Sequence, residues 1–394
     1  MTDRGMRAVG SVCNAMDSAQ QPAGTSTALI VRNETPFNAE TPAMLLPRAV
    51  LTPSSQFFIR SHGEVPNVNV QQYRLKVGGL VKNELLVSLA DLYRLPCETV
   101  SATVVCAGNR RNEMSRISPI KGVGWDSGAI GNAVWSGVKL YRLLELAGVQ
   151  QNVRHVLFEG LDHIHEQQAS TYQVSIPLSK AADPNGDVLL AYEMNGEPLA
   201  PAHGFPLRVI VPGFVGARSV KWIQSITLSD CESDGMFQQH DYKLTPGFID
   251  AETFKRVWRE YPAIQEMPVQ SAICFPPNGY KHASGTPLTV RGYAHSGGGK
   301  RITRVDLSVD GGNSWSHSAI LTRGTSSDAP YAHDWSWTLW EVAVPSLSTP
   351  CQLACRAWDA AGNSQPATVD SIWNFRGLLN NAQHRVRVLP SASL

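Results

Sequence analysis

The sequence predicts an α+β domain followed by an all-β sandwich. From about residue 29 to 261, short strand patterns mix with short helical ones, joined by loops rich in Gly, Pro and Asn. From about residue 267 the helical periodicity ends, and strand-like alternation recurs between turn signals. A length of 394 residues also exceeds the roughly 150 residues of an average domain. The organisation read from this is a disordered tail at 1–28, a first domain at 29–265, a second at 266–389 and a short tail at 390–394.

The first helix is signalled by Ser88 as N-cap with Asp91 three residues on, then Leu89, Leu92 and Leu95, before Pro96 stops it. A second is read through Val138, Leu140, Leu143, Leu144 and Ala147, ending near Gly148. Between them, residues 100–105 read as a buried strand that delivers Cys106 into the loop Ala107-Gly108-Asn109-Arg110-Arg111. In the second domain Val305, Leu307 and Val309 alternate on one face, and Asp310-Gly311-Gly312-Asn313 makes a hairpin turn before Trp315. Such spacing suits an immunoglobulin-like sandwich. Cys351 and Cys355 lie four apart on one strand face, too far along it to suggest a disulfide with each other.

Composition excludes several classes. Lys and Arg number 34 against 33 Asp and Glu, a net charge of +1, which argues against a nucleic-acid or acidic-membrane partner. No apolar run approaches the roughly 20 residues that span a bilayer, so a soluble protein is expected. Seven cysteines without CxxC spacing suit a reducing, intracellular compartment. Residues 1–28 lack the apolar stretch of a signal peptide. Ser296-Gly297-Gly298-Gly299-Lys300-Arg301 lacks the first Gly and the Ser or Thr of a phosphate-binding loop, and reads as a turn. His163-Ile164-His165-Glu166 lacks the second zincin His, and no GxSxG elbow occurs.

Three groups carry chemistry. Cys106 follows a strand beside a glycine, and two arginines within five positions offer charge that suits a thiolate, the form that ligates metals. Read alone, a cysteine in this setting is a buried structural residue in about three cases out of four. Phe57-Phe58-Ile59-Arg60-Ser61-His62 buries two aromatics and offers Arg60 and His62 as donors, or is a surface strand with a solvated Arg. His203 to Arg208 and Gly216 to Trp222 bring cations and a Gly-rich loop that cradle a phosphate, or lie solvated. Together they describe a soft-metal ligand beside an anion pocket.

These motifs, with Ala191-Tyr192-Glu193-Met194-Asn195-Gly196 and Trp373-Asn374-Phe375-Arg376-Gly377, strongly resemble the eukaryotic sulfite oxidase family from about residue 35 to 388. The nearest likeness is to the plant-type, haem-free form. The resemblance implies a sulfite-oxidase-type molybdopterin-binding domain and a homodimer through the second domain. It implies a molybdenum-molybdopterin cofactor and no haem, with Cys106 as the protein's metal ligand. It places the pterin and phosphate on Phe58, Ile59, Arg60, Ser61, His62, Asp162, His203, Arg208, Ser219, Val220 and Lys221. Asp162 rests only on Phe158-Glu159-Gly160-Leu161-Asp162. The substrate pocket it implies is Arg60, Arg111, Trp125, Tyr242 and Arg376.

The implied reaction is oxidation of sulfite to sulfate in sulfite detoxification, with oxygen or an external acceptor such as a cytochrome taking the electrons. A peroxisomal compartment follows from the plant-type likeness, with cytosol or mitochondrion as alternatives, since Ala392-Ser393-Leu394 is not a clean peroxisomal address. Two alternatives stand beside this. Nitrate reductases share the Cys106 region, but they place Met at the Arg376 position and usually Asn at Tyr242. A non-catalytic relic acting in binding or assembly is opposed by the intact Cys106, Arg60, Arg111, Tyr242 and Arg376. Phe375 and Gln383 depart from the family's usual Leu and Trp.

Overall fold

The strand foreseen at residues 100–105 runs Glu98–Val105 and is the pillar of the first half of the chain. It pairs along its whole length, antiparallel, with Ile130–Lys139. That strand pairs in turn with Leu189–Met194, on which both Glu197–Pro198 and Arg208–Ile210 lean. A second sheet orders Leu85–Val87, Leu75–Gly79, Ile223–Ser229, His155–His163 and Thr171–Pro177, with one parallel pair between Leu75–Gly79 and Ile223–Ser229. A shared core containing Leu75, Phe158, Val174 and Ile226 from this sheet and Val138, Leu190 and Val209 from the first joins the two. The structure is a computed structural model and describes residues 22, 25–164, 171–323, 333–347 and 349–391; the tails expected at 1–28 and 390–394 lie mostly outside them.

From Gln270–Phe275 onward the described elements are almost all strands. One sheet orders Gln270–Phe275, Leu288–His295, Thr338–Val344 and Ile320–Arg323; the other orders Tyr280–Ala283, His384–Ser391, Cys351–Asp359, Ile302–Ser308 and His317–Ser318. Val290 and Val342 of the first pack with Val305, Leu307, Leu353 and Val388 of the second, so the two sheets close a sandwich. Among the described residues no helix is long and apolar enough to cross a membrane.

Two helices differ in extent from expectation. The first spans only Leu89–Leu92, although Ser88 and Asp91 form the foreseen reciprocal cap: Asp91 N donates to Ser88 Oγ (3.2 Å) and Ser88 N to Asp91 Oδ2 (3.0 Å). The second starts at Leu140, and Val138 belongs to the preceding strand. Val138 is buried on either reading, and one apolar residue at a strand–helix junction satisfies both periods. Ser88→Ala is expected to cost about 1 kcal/mol of stability, read as a lower midpoint in urea with an unchanged slope.

Candidate active site

Cys106 emerges from the end of the Glu98–Val105 strand, its N–H donating to Ala129 O at 2.9 Å. Its Sγ accepts from Gly108 N at 3.4 Å. The side chain lies at the wall of a cavity with an empty volume of about 690 Å³. Arg110 then adopts a left-handed conformation (φ 65°) and turns away from the sulfur. Its guanidinium forks onto Glu113 at 2.7 Å and donates to the carbonyls of Ser271 (3.2 Å) and Ala382 (2.8 Å). Asn109 Nδ2 donates to Tyr293 Oη at 2.9 Å, and Leu379 N to Ala107 O at 2.7 Å. The sandwich strands and the segment that leads into the last of them therefore clamp the cysteine loop. Of the two arginines read as neighbours of the sulfur, Arg110 serves this clamp instead.

A cationic floor closes one end of the cavity. Arg208, on the strand Arg208–Ile210, donates to His203 O (2.9 Å) and Ser219 O (3.2 Å). Lys221 Nζ donates to Ser61 Oγ (3.0 Å) and Ala202 O (2.9 Å). Gly204, at φ 110°, has Arg208 and Lys221 side-chain atoms 3.0 and 3.2 Å from where a Cβ would stand, so a side chain there would push the cations apart. Burial pulls Arg208 down to about 9, and burial plus the Arg208 charge holds Lys221 well below its ordinary value. Burial pushes Asp162 up to about 6, against the pull of Lys221. His203 falls to about 3 through burial and the Lys221 charge, so it is neutral. The floor is short of negative charge.

Above it, Arg60 Nη2 meets His62 Nδ1 at 3.1 Å, and His62 Nε2 meets Tyr242 Oη at 2.9 Å. Tyr242 follows a π-helical turn, Phe237–Asp241, whose Phe237 ring packs on His62 at 4.4 Å. Arg111 opens the helix Arg111–Ser115 and donates to Arg376 O (3.1 Å), Gly377 O (3.3 Å) and Val123 O (2.8 Å). Burial lowers the basicity of Arg111, against the pull of Cys106 and with the push of Arg60, for a net fall.

The cavity wall brings together Phe58, Arg60, His62, Cys106, Asp162, His203, Arg208, Ser219, Val220, Lys221 and Tyr242. Ile59 lies in a separate core with Leu29, Ala39 and Ala202, and Ser61 acts through Lys221. Trp125 is fully buried, packing in the cluster that contains Phe57, Phe58 and Cys106, and its Nε1 has no hydrogen-bond partner among the described residues. Arg376 is outside the wall, forked onto Asp241 Oδ1 and His240 O, both at 2.8 Å. Sequence reading missed Tyr172, whose hydroxyl donates to Ala217 O at 2.9 Å, and Phe57 as a wall residue. Tyr172 sits in an ordinary strand pattern, and only the fold of its sheet over Phe237 reveals it.

Residues 62–237 match the family model described as "Oxidoreductase molybdopterin binding domain", and residues 261–391 match "Mo-co oxidoreductase dimerisation domain". A sulfite oxidase of Gallus gallus is 47% identical over 362 residues, covering 91% of this chain and 77% of that protein. The chain belongs to the sulfite oxidase family. An Arabidopsis thaliana sulfite oxidase is 42% identical over 374 residues, covering 91% of this chain and 93% of its own. A nitrate reductase of Ulva prolifera is more distant, 36% identical over 366 residues and covered to 42%. The crystal structure of the sulfane dehydrogenase SoxCD from Paracoccus pantotrophus superposes with a TM-score of 0.74 at 28% identity, covering 96% of this chain and 92% of that one.

The sulfite oxidase family's molybdopterin cofactor fits the residues present. Among the described residues the buried Nε of Arg208 has no hydrogen-bond partner, and two buried cations lack a full counter-charge, the condition a phosphate relieves. Among the described residues no three His, Cys, Asp or Glu converge as metal ligands. A single thiolate suits a metal that arrives with its other ligands attached.

Proposed function

We propose that the chain oxidises sulfite to sulfate at a molybdenum–molybdopterin cofactor held in this cavity. The observation that carries the reading is that Arg60, Arg208 and Lys221 line one cavity with the Cys106 thiol, with Arg111 beside the sulfur and Asp162 the sole carboxyl group of the wall among the described residues. Sulfite and water become sulfate, two protons and two electrons. When bound, the cofactor supplies the two-electron oxidation and the oxygen transfer. Cys106 Sγ is the protein's ligand to the metal; Arg208, Lys221, His203 and Ser219 hold the phosphate end, and Phe58, Val220 and Asp162 line the pterin.

Arg60 and Arg111 offset the charge of the incoming dianion, their planar forks suiting an oxyanion. Tyr242, pushed up to about 12 chiefly by burial, keeps its proton at working pH and donates it to a sulfite oxygen. Phe57, Phe58 and Trp125 exclude water from that side, which strengthens each of these interactions. The match to the dimerisation-domain description supports a homodimer. The electrons pass to oxygen or to an external acceptor such as a cytochrome; a Drosophila melanogaster relative, 45% identical over 363 residues, is named a mitochondrial sulfite oxidase.

The deciding experiment is sulfite-dependent reduction of ferricyanide by purified, molybdenum-loaded protein. Turnover that vanishes without sulfite supports the proposal. Full molybdenum content without sulfite turnover overturns it and makes nitrate the next substrate, while persistent failure to bind molybdenum favours the relic. Arg376→Met removes the fork on Asp241 beside Tyr242 and one cation near the pocket. Its KM for sulfite is expected to rise roughly tenfold, the worth of one charge-assisted hydrogen bond. Unchanged KM and kcat would remove Arg376 from the site.

A further inference from the structure

His62 stands between two groups of the site, and the chemistry of its neighbours decides which ring nitrogen bears the proton. A guanidinium has donors only, so Arg60 Nη2, 3.1 Å from Nδ1, requires a bare Nδ1. The ring is neutral: burial and the surrounding charges of Arg60, Lys221 and Arg111 keep it well below its ordinary value. The single ring proton is therefore on Nε2, which donates to Tyr242 Oη at 2.9 Å. The reverse arrangement would set an N–H of Arg60 against an N–H of His62.

Tyr242 thus accepts from His62, and no described protein group accepts the phenol's own proton: among the described hydrogen bonds His62 is the only partner of Oη. Two aromatic rings that also pack on each other, Tyr172 at 5.1 Å and Phe237 at 4.4 Å, lie against the imidazole and oppose its rotation to exchange roles.

We infer that His62 is a positioning residue which, locked by Arg60 as the Nε2–H tautomer, occupies the acceptor side of Tyr242 and so aims the phenol proton into the cavity. The inference rests on Tyr242 as the sulfite donor, and it gives His62 a role distinct from contact with the pterin. Arg60 then acts twice, as a charge for the oxyanion and as the group that sets the tautomer. Specificity for an oxygen acceptor at that spot follows, since the site offers a donor and has spent its acceptor.

The test has two parts. In wild-type protein labelled with ¹⁵N-histidine, the signal assigned to His62 by its loss in His62→Gln is expected to show a directly bonded proton on Nε2 and none on Nδ1. A proton on Nδ1, or on both nitrogens, overturns the inference, and this reading needs no turnover. The second part is a double-mutant cycle on molybdenum-normalised enzyme. His62→Asn, whose amide stops near the Nδ1 position, is expected to lower kcat/KM for sulfite about tenfold. His62→Gln, which returns a donor near Nε2, should recover most of that loss. In a Tyr242→Phe background His62→Asn should cost less than about twofold further; equal losses in both backgrounds would mean a structural role only and overturn the inference. Should the enzyme fail to oxidise sulfite while the Nε2–H tautomer is present, the proposed function falls and the tautomer lock stands.

Discussion

Exchanging Cys106 for serine is expected to eliminate sulfite turnover, by at least about a thousandfold, while leaving the fold in place. The side chain is small and buried, and the loop's main-chain bond from residue 106 to Ala129 O does not depend on the sulfur. Only the weak contact from Gly108 N to Sγ changes, and a hydroxyl can accept it. What serine cannot offer at neutral pH is a soft anionic ligand. Thermal melting of the unloaded variant should stay near wild type, whereas turnover per folded molecule collapses. Retained turnover would overturn the assignment of Cys106 as the metal ligand.

Arg208→Gln is expected to separate folding from cofactor retention. In the unloaded protein the Arg208 charge opposes folding: its folded pKa, about 9, lies below the ordinary 12.5. The folded state therefore binds fewer protons between those values, and the penalty is complete at pH 7, fading only as pH rises through that interval. A bound phosphate dianion would remove the penalty, so loading stabilises the wild type through this residue. With Gln, molybdenum-cofactor affinity should fall about ten- to a hundredfold, the worth of one or two charge-assisted hydrogen bonds. The rise in melting temperature on loading should shrink accordingly. An undiminished rise with full molybdenum content would show that the phosphate end of the cofactor lies elsewhere.

Local chemistry was legible wherever the signal is short-range. Ser88 and Asp91 announce their cap in three residues, and the run at 100–105 with Cys106 after it announces a strand and a loop. The basic groups at 57–62, 203–208 and 216–222 were visible one by one, but their convergence is a property of sheet pairing. Lys221 reaches Ser61 across 160 positions and His62 reaches Tyr242 across 180. The orientation of Arg110 was not legible either. Its sequence neighbours suggest charge for the sulfur, yet a left-handed backbone at that position sends it to carbonyls of the sandwich. Arg376 was identified by motif alone, and only the structure shows it spanning to the Tyr242 segment.

The clamp on the cysteine loop also sets an order of events during synthesis. Cys106 is made early, but the struts that hold its loop come from Tyr293, Leu379 and Ala382, the last 272 positions beyond Arg110. A ribosome releases the thiol long before it releases the groups that fix it. Until the C-terminal strands close, the Arg110 guanidinium lacks two of its carbonyl partners and the loop cannot hold its final geometry. The sandwich is thus a timer for the domain before it: the cysteine loop matures only once residues 379–382 have been made.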